Sequence, residues 1–217
     1  MSIVIAVDGS AASGKGTLAR KLASHFGLHH LDSGSLYRLV ALGVLEANAD
    51  PNNETDAIAA SRAVDPLRAN DPRIRSAEIG RTASLVSVFP AVRAALLDYQ
   101  RNFARQEPGA VIDGRDIGTV VCPDATAKLF VDASLEVRAH RRWLELKGYG
   151  GKADEATILR ELRERDERDT KRDISPQKPA ADADLLDTTH LSIDAAFAAA
   201  LALVQPKIEG LGARHRG

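Results

Sequence analysis

Lys15 lies in the stretch Gly9-Ser10-Ala11-Ala12-Ser13-Gly14-Lys15-Gly16-Thr17, which follows the apolar run Ile3 to Val7 and leads into the helix-like segment Thr17 to Ala23. Small residues between a strand and a helix let backbone N–H groups converge on phosphate oxygens. The positive end of the helix favours negative charge, and the lysine adds a mobile cation for the outer phosphates. Residues 9 to 17 therefore read as a triphosphate-binding loop. The pattern usually places Ser or Thr directly after the lysine. Here Gly16 takes that place and Thr17 follows, so the sequence leaves open whether the Thr17 hydroxyl meets metal or phosphate. The plainer alternative is an ordinary turn rich in small residues.

A second constellation is Asp113-Gly114-Arg115-Asp116, at the end of the apolar run Ala110-Val111-Ile112. A carboxylate at a strand tip can hold magnesium directly or through water, which assigns Asp113 as candidate metal ligand, and Arg115 can clamp a phosphoryl group. A third lies between Arg163 and Arg172, where Arg165, Asp169 and Arg172 fall at i, i+4 and i+7 on one helical face. Two guanidiniums flanking a carboxylate can grip phosphates and a sugar hydroxyl. The bland reading is a solvated helix laced by Glu161–Arg165 and Glu164–Arg168 pairs. Beyond Leu162 that segment has no apolar stripe, so it is held by such pairs or bridges something. Phosphoryl transfer between two nucleotides would explain the wealth of arginines, because catalysis there is positioning plus charge stabilisation with water excluded.

The elements that must position these groups follow from periodicity. Strand candidates are Ile3 to Val7, Leu28 to Leu31, Ala110 to Ile112, Ala127 to Val131 and Asp184 to Asp187. Helices fall between them, which predicts an α/β layer architecture with a mostly parallel sheet and ligands beyond the C-terminal strand ends. After Asp32-Ser33-Gly34, a helix carries Tyr37, Val40, Ala41, Val44 and Leu45 as its buried stripe. Residues 51 to 73 are broken by Pro51, Pro66 and Pro72, with a short helix at Thr55 to Ala63. Helices then cover Ile74 to Val88 and the segment opened by Pro90, with Val92, Ala95, Leu96, Tyr99 and Phe103 facing inward. Ser134 caps a helix to about Lys147, Gly148 to Gly151 form a flexible joint, and Asp154 caps a helix to about Lys171. The last helix spans Ser192 to Gln205, with a frayed tail after Lys207.

The chain has 217 residues, 44% hydrophobic and 27% charged, with formal net charge −1. That balance suits one soluble domain and argues against a general nucleic-acid or membrane surface. The single cysteine, Cys122, excludes a disulfide framework and reads as a small apolar residue. His25, His29 and His30 lack a helical ligand spacing and read as surface or strand-edge residues. No secretory leader or membrane-spanning run is visible, so a cytoplasmic setting is expected, and with no exposed heptad or long apolar edge a monomer is expected.

The glycine loop, Leu31-Asp32-Ser33-Gly34-Ser35-Leu36-Tyr37-Arg38, Phe89-Pro90-Ala91-Val92-Arg93, Asp113-Gly114-Arg115-Asp116-Ile117-Gly118-Thr119-Val120-Val121 and Glu164-Arg165-Asp166-Glu167-Arg168-Asp169, in that order, resemble bacterial cytidylate kinases. The resemblance covers almost the whole chain. It implies transfer of the γ-phosphoryl group of ATP to CMP or dCMP with Mg2+. It also implies a three-layer P-loop kinase fold, in which a five-stranded parallel sheet lies between helices. The core would cover about 1–35, 89–147 and 180–208, the monophosphate-binding region about 36–88, and a short lid about 148–175.

By the same resemblance, Gly9, Ser10, Ala11, Ala12, Ser13, Gly14, Lys15, Gly16 and Thr17 would hold ATP. Ser33 and Arg38 would help seat the monophosphate nucleotide. Ser84, Arg93 and Asp116 would read the cytosine edge, which suits a carboxylate accepting from the exocyclic amine while Arg and Ser donate to the ring. Arg115 and Arg172 would bind the acceptor phosphate, and Asp169 with Arg165 the sugar hydroxyls or bridging phosphates. Lys15, Asp113, Arg115, Arg165 and Arg172 form the implied catalytic set. Where the family often carries a β-rich insert, this chain has only Leu67 to Arg73, so the insert is expected to be reduced to a loop. A P-loop kinase for another small acceptor, or a nucleotide-binding protein without catalysis, would differ chiefly at Arg93 and Asp116.

Overall fold

Ile5, Ala6 and Val7 are completely buried because their strand, β1 (Ile3–Gly9), is the centre of the sheet. The computed structural model describes residues 2–148 and 154–214. β1 pairs in parallel with β3 (Gly109–Gly114) on one side and β4 (Ala127–Asp132) on the other, with Val7 opposite both Asp113 and Leu129. The outer strands are β2 (His29–Asp32) and β5 (Asp184–Asp187), giving a five-stranded parallel sheet in the order β2-β3-β1-β4-β5. All C-terminal strand ends therefore share one edge, where Gly9, Asp32 and Asp113 meet.

The alternation of β1 feeds two cores, as expected for a strand covered on both faces. Ile5 and Val7 pack with Leu18, Leu22, Ala200 and Val204 of α1 (Lys15–Phe26) and α8 (Ile193–Arg214). Ala6 faces Ile112, Ala104 and Ile117 on the other side. Gly9 is obligatory at the strand end. Its φ is +146°, and a Cβ there would lie 1.9 Å from the Val131 carbonyl oxygen of β4.

The region after β2 is helical. α2 (Ser33–Glu46) starts where the Asp32 side chain accepts from the Ser35 amide. It is buried on two faces, not one stripe. Leu36, Val40 and Val44 pack toward α3 (Glu54–Arg62) and α5 (Pro90–Ala104), while Leu39 and Leu42 pack on Ile74, Ile79 and Ala83. Tyr37 and Leu45 are only half-buried. The expected helix from Ile74 is shortened to α4 (Ala77–Val86), because the Ser76 hydroxyl caps it by accepting from Ile79. Ile74 belongs instead to a 3₁₀ turn, Pro72–Arg75, which follows another at Pro66–Asn70. The stretch expected to be a reduced insert is two tight turns, each capped by an aspartate, Asp65 and Asp71. On α5, Val92 and Leu96 face inward as expected. Ala95 and Tyr99 face outward, and Gln100 and Ala104 take the inner places.

α6 (Leu135–Gly148) and α7 (Glu155–Lys171) pack on each other, and Asp154 caps α7 as expected. Apart from Gly148, the glycine joint expected at 148 to 151 lies outside the described residues. α8 continues past Pro206 to Arg214, longer than the pattern suggested. Among the described residues, no helix is long and apolar enough to cross a membrane.

Candidate active site

The loop at residues 9 to 17 is shaped by backbone conformations that small residues permit. Ala12 has φ 60° and Gly14, the N-cap of α1, has φ 90°. The loop carbonyls are held by side chains: Ser10 O accepts from Lys15 at 3.3 Å, Ala11 O from Arg138 at 3.4 Å, and Ser13 O from Thr188 at 2.8 Å. Carbonyls tied in this way are unavailable to the loop's hollow, which favours amides turned toward an anion. Gln177 donates to the Ser10 hydroxyl at 3.2 Å. Burial pushes the Lys15 ammonium down to about 7, with Arg115 acting in the same direction and Asp113 opposing it.

The tip of β3 lies beside this loop. Asp113 is buried; its Oδ1 is 2.9 Å from His30 Nε2, and its carbonyl accepts from the Ser33 hydroxyl at 2.7 Å. A Cβ on Gly16 would come 3.5 Å from Asp113 Oδ2, so that oxygen faces the loop. Among the described residues, no group of three or more His, Cys, Asp or Glu is arranged to hold a metal. Asp113 is the carboxylate at the loop, while the Thr17 hydroxyl accepts from Arg20 at 3.4 Å.

Asp169 gathers three arginines: Arg115 Nε at 2.9 Å, Arg165 Nε at 3.7 Å and Arg172 Nη1 at 3.9 Å. Burial pushes its carboxyl up, but Arg115, Arg165 and Arg172 more than offset this and hold it below its ordinary value. Arg38 donates to Ile74 O at 2.6 Å, and its guanidinium is lowered to about 9 by burial and by Arg165 and Arg142. At the far end, Arg93 donates to Asp116 Oδ2 and, at 3.2 Å, to Ser87 O, with its guanidinium 5.4 Å from the Tyr37 ring centre.

One cleft of about 580 Å³ joins these groups, from Ala11 to Thr17 through Ser33, Arg38, Arg93, Asp113, Arg115, Asp116, Arg165, Asp169 and Arg172. Ser84 is the exception among the expected acceptor residues. It lines a separate hollow of about 50 Å³ between α4 and α7, where its hydroxyl accepts from Arg168 at 3.2 Å. The helix phase of α4 turns Ala83 and Ser87 toward the main cleft instead.

The pairs expected along α7 also differ. Arg165 pairs with Asp169, and Glu161 reaches Arg81 of α4 at 3.0 Å. Arg168 reaches Ser84, and Asp166 takes Arg138 at 2.8 Å. α7 is therefore a bridge between α4, α6 and the cleft, through Glu161 and Arg168 to α4, Asp166 to α6, and Arg165 and Asp169 to the cleft.

Several contributors were not expected from the sequence. Arg141 and Arg142 of α6 line the cleft, and Arg141 donates to Thr188 O at 2.7 Å. Arg138, Arg141 and Arg142 stand at i, i+3 and i+4, a spacing that would have exposed one basic face. Asp8, the last side chain before the loop, is also buried. Burial pushes its carboxyl up to about 6 against the pull of the Gly118 and Ile117 amides.

A parallel sheet with a lysine-bearing glycine loop at its central strand end, an acid at the adjacent strand tip and an arginine-lined cleft defines a P-loop kinase. The chain belongs to the cytidylate kinase family, whose model matches residues 5–206. A cytidylate kinase of Granulibacter bethesdensis is 56% identical over 207 residues, 95% of this chain and 99% of its own length. One of Rhodopseudomonas palustris is 53% identical over 203 residues, 94% of this chain and 96% of its own. In shape, the chain resembles the crystal structure of an uncharacterized protein from Eubacterium ventriosum, with a TM-score of 0.55, 16% identity and coverage of 94% of this chain and 99% of that one. This last likeness bears on the fold alone.

Proposed function

We propose that the chain transfers the γ-phosphoryl group of ATP to CMP or dCMP, giving ADP and CDP or dCDP. The observation that carries this reading is the buried Arg93–Asp116 pair at the end of the cleft that begins at the glycine loop. A carboxylate there can accept from the exocyclic amine of cytosine while the guanidinium donates to the ring. Family membership points the same way.

In this reading the loop amides and Lys15 hold the donor phosphates. Ser33 and Arg38 seat the monophosphate nucleotide. Arg115, Arg165 and Arg172 surround the group in transit and stabilise the charge spread over its oxygens. Asp169 keeps these cations gathered before substrate arrives and offers its carboxylate to a sugar hydroxyl. The acceptor phosphate is already anionic, so no general base is required.

Asp113 fits magnesium, because one carboxylate oxygen faces the loop and Mg2+ is commonly held by one or two carboxylates plus substrate phosphates and water. When bound, the ion would neutralise charge on the donor phosphates.

The test is a coupled ADP-release assay over a panel of acceptors. CMP and dCMP are expected to give the highest kcat/KM. A higher value for AMP, GMP or shikimate overturns the reading, as does ATP binding without acceptor-dependent ADP release.

A further inference from the structure

Asp8 is the penultimate residue of β1, just before Gly9 turns the chain into the phosphate loop, and its carboxylate is taken up by the turn that follows Asp116. Its Oδ1 accepts from the Ile117 amide at 2.8 Å and its Oδ2 from the Gly118 amide at 2.7 Å. Both amides open the single π-helical turn Ile117–Val121, directly after Asp116. The Asp116 carbonyl in turn accepts from Val120 at 2.9 Å and Val121 at 3.2 Å. Asp116 thus has its backbone fixed by this turn and its carboxylate fixed by Arg93.

The chemistry is particular to a carboxylate. Both partners are N–H donors, and an ionised carboxylate is acceptor-only on both oxygens. An amide at position 8 would set its own NH2 against one of the two backbone donors. The Gly118 amide is held in place on its other side as well: a Cβ on Gly118 would lie 3.1 Å from Lys128 Cδ, tighter than it can sit without a shift, and in ordinary contact with Asp8 Oδ2 at 3.4 Å.

We propose that Asp8 is a positioning residue for acceptor recognition: by holding the Ile117 and Gly118 amides, it fixes the backbone that aims the Asp116 carboxylate. It does so from the strand that also launches the phosphate loop, so the donor and acceptor ends of the cleft take their alignment from one residue pair, Asp8 and Gly9. This inference rests on the reading of Asp116 as a contact to the cytosine edge.

The test compares ADP-release kinetics of the wild type, Asp8→Asn, Gly118→Ala, Asp116→Ala and the combination of Asp8→Asn with Asp116→Ala. In Asp8→Asn the KM for CMP is expected to rise about tenfold or more, with the KM for ATP within about twofold, since small misplacements of a recognition group cost that much. Gly118→Ala, whose Cβ would press on Lys128 at 3.1 Å and so displace the Gly118 amide that Asp8 holds, is expected to show the same split at about threefold. Adding Asp8→Asn to Asp116→Ala should raise the KM for CMP no further, because the group being aimed is gone.

Equal changes for both substrates, or full additivity in the combined variant, overturn the inference while leaving the activity standing. If Asp8→Asn does not fold, Gly118→Ala is measured alone and combined with Asp116→Ala. A CMP-selective rise that vanishes in the combination then supports the inference, and equal or additive changes overturn it. A wild type without preference for CMP or dCMP overturns the acceptor reading and this inference together.

Discussion

Arg93 of α5 and Asp116 beyond β3 neutralise each other inside the cleft, 23 positions apart in sequence and both buried. Each is held on a second side, Arg93 by Ser87 O and Asp116 by the turn that follows it. The acceptor end is therefore pre-assembled rather than gathered by substrate.

Asp116→Ala should raise the KM for CMP sharply, by two orders of magnitude or about that, and leave ATP affinity nearly intact, because a site built to hydrogen-bond rejects what it can no longer pair. The variant also leaves Arg93 buried without its anion, a loss on the order of 3–5 kcal/mol in unfolding free energy. Steady-state kinetics with both substrates and urea denaturation check the two halves. Equal losses of ATP and CMP affinity would contradict the placement of Asp116.

Lys15 gives a pH dependence with a defined sign. Its ammonium is lowered to about 7 in the free protein, and a bound triphosphate would raise it again. ATP binding above pH 7 should therefore take up a proton, and affinity should fall as pH rises from about 7 to 9 by up to about tenfold per unit. Calorimetry at pH 8 in buffers of different ionisation enthalpy measures the uptake. Lys15→Met should abolish it and strongly cut kcat; uptake unchanged in Lys15→Met would assign the proton elsewhere. In the free protein the sign for stability is opposite to that for binding: between about 7 and the ordinary lysine value of 10.5 the unfolded chain holds more protons at Lys15, so this residue makes stability rise with pH.

Asp169→Ala removes the carboxylate that three arginines share. Unfolding free energy should drop by about 3–5 kcal/mol, and added phosphate or sulfate should restore part of it by occupying the cationic centre. Thermal melts with and without sulfate read both effects. A variant no more responsive to the anion than wild type would count against the arginines as a phosphate-binding group.

Gly9 and Gly27 make a matched pair of backbone tests. Gly27 has φ +65° and open space around it, whereas a Cβ on Gly9 would strike the Val131 carbonyl at 1.9 Å. Gly27→Ala should cost about 1 kcal/mol, the left-handed strain alone. Gly9→Ala should cost several times more and weaken ATP binding, since β1 and β4 must separate at the root of the loop. Similar melting temperatures for the two variants would refute that difference.

Much of the frame is legible in the chain because its cues are local. The strand before Gly9, the caps Asp32 and Asp154, and the Asp113 to Asp116 cluster are marked by residues next to one another. What escapes depends on partners distant in sequence. Ser84 carries the right chemistry, but Arg168, 84 residues on, decides where its hydroxyl points. The Glu161–Arg165 pairing on α7 is plausible for an isolated helix and loses to Arg81 of α4, which only the packed fold supplies, and to Asp169 one turn further along the same helix. On α5, aromaticity suggests burial for Tyr99, yet Gln100 is the buried neighbour, its amide bonded to Leu96 O. Asp8 looks like part of the loop's lead-in, and nothing near it in sequence hints at Ile117 and Gly118.

The central position of β1 bears on how the molecule comes into being at the ribosome. β1 finds its neighbours only when residues 109–114 and 127–132 have been made, and the loop that follows it is anchored by Thr188 still later. Until those residues are made, a nascent chain carries its nucleotide-binding motif without the framework that shapes it. Triphosphate capture becomes a property of a polypeptide made through Thr188, and a chain interrupted before it would present the motif without the grip.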